Sequence, residues 1–259
     1  MNKIINEYDN FVILAPHPDD EVIGCGILIN RLIKKKKKVT IVYLTNGISR
    51  KEKTDVNLIK GFDSYEMYCK ERLKEREKFH KITGVSSLCF DDIYSRELSF
   101  HIKDLFKNIK NTFSNNSSTL FLCPPYEGGH PDHDISSCIA SKLKDSLDFE
   151  VWEYALYNGR DISNIKQSFL DNSKVNISVI NPTPEELYLK KKWIGCYKSQ
   201  YSFIIGHLSF TEEKFRLLPS YDYSVSPVKD KAYYETWQDE INAEHISKIC
   251  SSFIYKNNN

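Results

Sequence analysis

The chain has 259 residues, and its 36 Lys and Arg nearly cancel its 35 Asp and Glu, leaving a formal net charge of +1. No global field therefore argues for nucleic acid or an anionic membrane surface as a partner, and a small neutral substrate fits better. No stretch approaches the ~20 apolar residues of a membrane span, the polar Met1 to Asn10 lacks a signal-peptide core, and the seven cysteines are odd in number and never in a CxxC pair; this predicts a cytoplasmic protein with reduced thiols, no stable membrane insertion, no disulfide framework and no cysteine zinc site.

A chain of this length accommodates one compact α/β unit. We expect a single domain, with a core over about residues 10–200 and a C-terminal pocket or surface segment over 201–259. Phe11 to Ala15 (FVILA) is a continuous apolar run ended by Pro16, the pattern of a strand buried on both faces of a parallel sheet. From Glu21 to about Lys35 the apolar positions Ile23, Ile27, Leu28, Leu32 and Ile33 recur at helical spacing behind Asp19 and Asp20, which suit a helix N-terminus. Val39 to Leu44 (VTIVYL) is a second buried strand, so the three segments form a βαβ unit with a right-handed crossover. The Lys34 to Lys38 run falls where the helix ends, a position that favours solvated cations.

Tyr65 to about Ile82 and Phe100 to about Phe113 read as further helices, and Thr119 to Cys123 (TLFLC) as a strand ended by Pro124-Pro125. Glu150 to Tyr157 and Val175 to Ile180 are strand-like. Thr183 and Pro184 then open a helix as N-cap and N1 proline. Beyond Gln200 no clear period emerges, and Ser220 to Trp237, rich in Tyr, Ser and Pro, reads as an ordered surface or pocket segment. The fold class is α/β, Rossmann-like, with a mostly parallel sheet and helices on both faces.

Chemistry concentrates in two places. His17, Asp19, Asp20 and Glu21 directly follow the first strand, and in open α/β sheets the carboxyl edge is where ligands bind. Adjacent carboxylates beside a histidine repel unless a cation offsets them; a helix cap with a surface histidine is the bland alternative. His130, Asp132, His133 and Asp134 follow TLFLC after a loop containing Gly128-Gly129, which brings a second His/Asp cluster to the same edge.

A catalytic zinc takes three protein ligands and keeps a fourth position for water. His17, Asp20 and His133 supply that set. Asp19, beside a ligand but pointing elsewhere, suits a general base, and a protonated His130, oriented and charged by Asp132, suits the developing oxyanion. Two histidines and a carboxylate also suit a non-haem iron(II) oxygenase, although that reading gives Asp19 no task; a metal-binding scaffold without turnover is a third.

PHPDDE followed about a hundred residues later by HPDH resembles the PIG-L/LmbE-like deacetylase family, in which both motifs match in full. The resemblance implies a zinc enzyme of Rossmann-like fold that removes acetyl, or larger acyl, groups from amino sugars and their conjugates. It implies the same assignments: His17, Asp20 and His133 on Zn2+, Asp19 as base, His130 at the oxyanion. Leu44-Thr45-Asn46-Gly47 is similar to the family's LTxG turn, and Arg72 to Glu75 to its RxxE helix, in which the arginine can contact substrate. An exposed i,i+3 salt bridge is the alternative for Arg72.

Asp92 is similar to an acidic residue at the family's sugar pocket, and Tyr126, just before Gly128-Gly129-His130, is a substrate-pocket candidate. Cys196-Tyr197-Lys198-Ser199-Gln200 and Glu213-Lys214-Phe215-Arg216 also resemble segments of bacterial members. The sequence departs from the pattern at Lys36-Lys37, where a glycine is common, and at Phe79, where a small residue is usual. The expected partner is an N-acylated amino sugar or its conjugate, with a homo-oligomer possible.

Overall fold

The computed structural model describes all residues except 56–58, 60, 160–166, 171–175, 201–210, 239 and 256–259. Its strands are β1 (Asn10–Ala15), β2 (Lys38–Tyr43), β3 (Ser86–Cys89), β4 (Thr119–Cys123), β5 (Glu150–Tyr154), β6 (Ile177–Ile180) and β7 (Glu213–Leu217). They form one seven-stranded sheet in the order β3-β2-β1-β4-β5-β7-β6. The first five are mutually parallel, and β7 pairs antiparallel with both β5 and β6. The fold class is as expected, with an antiparallel edge added.

The helices are α1 (Asn2–Glu7), α2 (Asp20–Lys34), α3 (Lys51–Thr54), α4 (Tyr65–Thr83), α5 (Leu98–Phe113), α6 (Pro131–Leu147), α7 (Pro184–Ile194) and α8 (Ala243–Tyr255). Two apolar cores sandwich the sheet. One packs α1, α2, α7 and Phe79 of α4 against residues such as Phe11, Ile13 and Ile41. The other packs α5, α6 and α8 against Val12, Leu14, Val42 and Phe121. Alternate residues of β1 thus face opposite cores, which is why its sequence is continuously apolar.

The N-terminal decapeptide, polar by composition, buries Ile4 and Ile5 through α1. Helix α7 begins as predicted: Thr183 accepts from the Glu186 backbone, and the Glu186 carboxylate accepts from the Thr183 backbone, a full capping box. The strand expected from Val175 begins at Ile177 among the described residues. The Ser220 to Trp237 segment contributes to the second core through Tyr223, Ala232 and Tyr234.

Strand β7, not foreseen, is fixed by charge. Glu213 accepts from the α2 amides of Ile27 (2.8 Å) and Leu28 (3.0 Å) and from the buried Lys190 ammonium of α7 (2.7 Å). Arg216 reaches Glu153 (2.6 Å) and Glu127 (2.8 Å) inside the fold. Among the described residues no helix is long and apolar enough to cross a membrane.

Candidate metal centre and catalytic site

Between β1 and β4 the chain order of the parallel strands reverses, and the carboxyl ends of these two strands flank the crevice that such a reversal opens. After β1 the chain turns through Pro16, whose carbonyl accepts from the Thr45 hydroxyl (2.7 Å). Pro18 offers its carbonyl to Arg72 (3.0 Å). Gly47 makes this crossing possible: its φ is +72°, and a Cβ there would stand 2.5 Å from the Arg72 guanidinium and 2.7 Å from the Pro18 ring. The LTNG turn, the PHPDDE segment and the RLKE helix therefore meet at one point.

Asp19 occupies the N-cap of α2 with φ +132° and ψ −28°, and its side chain makes no capping bond. That backbone conformation costs a non-glycine residue roughly 1–3 kcal/mol. Its carboxylate is thereby kept off the helix terminus, 3.9 Å from Arg72. Burial lifts its pKa well above the ordinary carboxylate range, with Arg72 opposing.

The second segment is shaped by glycine and by Asp134. Gly128 has φ +70°, and a Cβ on Gly129 would stand 2.4 Å from the Tyr157 carbonyl oxygen. Asp134 on α6 accepts from the amides of Glu127 (3.1 Å) and Gly128 (3.0 Å), closing the loop back on its own helix. His130 becomes the N-cap of α6, Pro131 follows at its start, and His133 projects from the first turn.

The two segments converge. Asp20 Oδ2 lies 3.1 Å from His17 Nδ1 and 3.3 Å from His133 Nε2, and it also accepts from the His17 amide (2.9 Å). Tetrahedral ligands about 2.0–2.2 Å from a zinc ion sit roughly 3.3–3.5 Å from one another, so the spacing of Asp20 from each histidine suits a shared cation. His133 is 2% exposed, and its Nε2 is a buried polar atom without a hydrogen-bond partner, which a cation would satisfy.

His17, His130 and His133 also each bring one ring nitrogen within 4.8 Å of the others. A cation held by His17 and His133 would take either Asp20 or His130 as its third ligand. Asp20 is the better fit. His130 Nδ1 accepts from the Asp132 amide (3.1 Å), which places the proton of the neutral ring on Nε2 and makes it a donor rather than a ligand.

Electrostatics divides the carboxylates. Burial alone would raise Asp20, but His133 and His17 hold it well below the usual range, opposite to Asp19 next door. Burial opposes a charged His17, yet hydrogen bonds to Asp132 and Asp20 raise it to about 10. Burial and the neighbouring imidazoles His17 and His133 push His130 well below its ordinary value.

Three expectations change, and the exposed alternative for Arg72 falls. Asp132 does not serve His130: its Oδ2 is 3.0 Å from His17 Nε2 and 3.8 Å from His130 Nδ1, and it is fixed by the Arg96 amide (2.6 Å). The protonated His130 therefore gives way to a neutral one, because the ring is buried and its Nδ1 already accepts a hydrogen bond from the Asp132 amide. Arg72 is not on an exposed face; it is 2% exposed, beside Asp19 and Glu75. Tyr126 is no pocket wall, since it is 3% exposed, donates to the Val225 carbonyl (3.0 Å) and packs against Tyr221 and Tyr223.

Asp92 is exposed between β3 and α5. Residues without a motif come close instead. Ser95 lies 3.1 Å from His17 Nε2. The Tyr157 ring centroid is 5.2 Å from that of His133, and the Trp237 centroid 5.6 Å from that of His130. Arg96 caps Trp237 at 4.9 Å. Trp237 belongs to an aromatic segment whose rings are explained equally well by packing, so residue type could not single it out.

Residues 12–143 match the family model described as PIG-L: GlcNAc-PI de-N-acetylase. Diacetylchitobiose deacetylase of Thermococcus kodakarensis is 28% identical over 137 residues, a stretch covering 51% of this chain and 48% of that protein; the chain thus matches about half the length of this curated relative. Among solved structures, the zinc-inhibited form of teicoplanin deacetylase Orf2 superposes with a TM-score of 0.64 at 14% identity, covering 80% of this chain and 97% of that one. N,N'-diacetylchitobiose deacetylase from Pyrococcus horikoshii gives 0.58 at 22% identity, covering 84% and 86%. These structural likenesses concern the fold.

Proposed function

We propose that this chain, which belongs to the PIG-L (GlcNAc-PI de-N-acetylase) family, is a zinc-dependent hydrolase that removes an acetyl or other acyl group from the amide nitrogen of an amino sugar or its conjugate. The observation that carries the reading is the Asp20 oxygen between His17 Nδ1 and the otherwise unpartnered His133 Nε2. His17, Asp20 and His133 would hold the ion. A zinc bound there supplies Lewis acidity, lowering the pKa of water and polarising the acyl oxygen.

The chain's own groups do the rest. Asp132 and Ser95 hold His17 by Nε2, leaving Nδ1 to face the centre. Asp19, buried and raised in pKa, has the proton affinity to take the proton of the attacking water and pass it to the leaving amine. His130, neutral with its proton on Nε2, donates a hydrogen bond to the acyl oxygen as that oxygen gains charge. The named activities of the relatives, on diacetylchitobiose and on teicoplanin, support an N-acetylated amino-sugar substrate.

Acetate release from a panel of N-acetylhexosamine derivatives with different anomeric groups tests the reading, alongside the metal content of freshly purified protein. Zinc with acetate release is expected. Oxygen consumption by an iron-loaded protein without acetate release would turn the same ligands into an oxygenase site; zinc with neither reaction would leave a metal-binding scaffold.

A further inference from the structure

The segment Tyr197-Lys198-Ser199-Gln200, which the catalytic reading leaves without a task, follows α7 and touches three of the structures that build the site. The Tyr197 hydroxyl donates to Glu21 Oε1 (2.5 Å), and Glu21 Oε2 accepts from the Asp19 amide (2.9 Å). Ser199 donates through both its amide and its hydroxyl to Glu75 (2.6 Å each), the acidic residue of RLKE that lies 3.7 Å from Arg72. Gln200 donates to the Tyr68 hydroxyl (2.8 Å), which donates in turn to Glu52 (3.1 Å) in the segment after the LTNG turn.

Glu21 is fully buried, and Tyr197 likewise. A buried carboxylate needs a task, and this one spends an oxygen on the amide of a residue whose backbone lies in a region that L side chains rarely adopt. The Asp19 side chain makes no capping bond to α2, so the Glu21 contact is the described hydrogen bond that holds the Asp19 amide. We infer that Tyr197 and Glu21 are positioning residues that clasp the Asp19 backbone in its unusual conformation, aiming the Asp19 carboxylate into the crevice, while Ser199 and Glu75 set the neighbouring Arg72. The kinetic part of this inference rests on the function proposed above, because it takes Asp19 as the base.

The test uses Tyr197→Phe, which deletes one hydroxyl, and Glu21→Gln, with exposed Lys198→Ala as control. In the metal-free protein, exchange of the Asp19 amide should speed up at least tenfold in Tyr197→Phe and Glu21→Gln relative to amides further along α2, and stay unchanged in Lys198→Ala. With substrate, Tyr197→Phe should lower kcat by between ten- and about a hundredfold, the scale of a small misplacement of a reacting group, at unchanged KM and zinc content. In an Asp19→Asn background the same substitution should change residual turnover by less than twofold. Wild-type exchange at the Asp19 amide in both variants would overturn the clasp, as would a kcat loss equally large in both backgrounds, the signature of a merely structural role. If the wild type released no acyl group from any amino sugar, the proposed function would fall, and the amide-exchange comparison would decide the clasp by itself.

Discussion

At the scale of single residues, the assignment most altered by geometry is that of Asp132. Proximity in sequence pairs it with His130, two positions away. At the start of α6, however, the His130 imidazole turns back to accept the Asp132 amide, and the Asp132 carboxylate points across to His17. A carboxylate behind a metal-binding imidazole fixes its tautomer and orientation and typically contributes 10–100-fold in metal affinity. Asp132→Asn should therefore weaken zinc binding by about that factor, measured by competition with a chelator. Unchanged affinity with a large fall in kcat would return Asp132 to His130. The convergence of His17, Asp20, His130 and His133 was legible, because His, Asp and Glu at the ends of buried strands have few structural uses. The inward turn of Tyr126 was not, because a tyrosine in a loop carries no mark of which way it faces.

At the scale of elements, β1, β2 and β4 stood out because they are apolar on both faces, and α7 because its capping box is written in its first residues. Helix α6 was hidden: its first turn consists of polar site residues, and its apolar stripe of Ile135, Cys138, Ile139 and Leu143 starts only afterwards. Strand β7 was hidden because its inward residues include Glu213 and Arg216, whose charges are satisfied only by partners far away in sequence. Helix α8 was detectable in principle, since Ile246, Cys250 and Phe253 follow helical spacing.

The end of α2 explains one departure from the family pattern. Lys37 N–H bonds the Leu32 carbonyl (3.0 Å) and Lys36 N–H the Ile33 carbonyl (2.9 Å), a Schellman closure with Lys36 at φ +57°. This is a glycine position occupied by lysine. Lys36→Gly should raise stability by about 1 kcal/mol, seen as a rise in Tm of roughly 2–4 °C. A fall would mean that the lysine side chain contributes more than its backbone strain costs. The other departure, Phe79, fills its space against Trp193, Tyr197 and His80, so a large residue is accommodated by rings specific to this core.

At the scale of the whole molecule, four of the five parallel strands and the helices α2, α4 and α5 between them were readable from the periodicity of buried strand and amphipathic helix, whereas β3, short and only half-buried, was not. The antiparallel edge was not, since it is set by tertiary ion pairs. A sheet of this order builds its site from two loops separated by about 110 residues, so an ion held by both ties the halves of the fold together. A ligand present at a thousandfold excess over its Kd stabilises the native state by about 4 kcal/mol. Chelation should then lower Tm by on the order of 10 °C, with recovery on adding zinc. No change in Tm would mean that the ion does not bridge the two loops.

The central claim is a division of labour between adjacent carboxylates, Asp20 on the metal and Asp19 on the proton. Asp19→Asn tests it most directly, with zinc content and acetate release measured on the same preparation. The account predicts wild-type zinc and a loss of turnover of about 10²–10⁴-fold, whereas His133→Ala loses the zinc itself. Near-normal turnover in Asp19→Asn, or loss of its zinc, would contradict it.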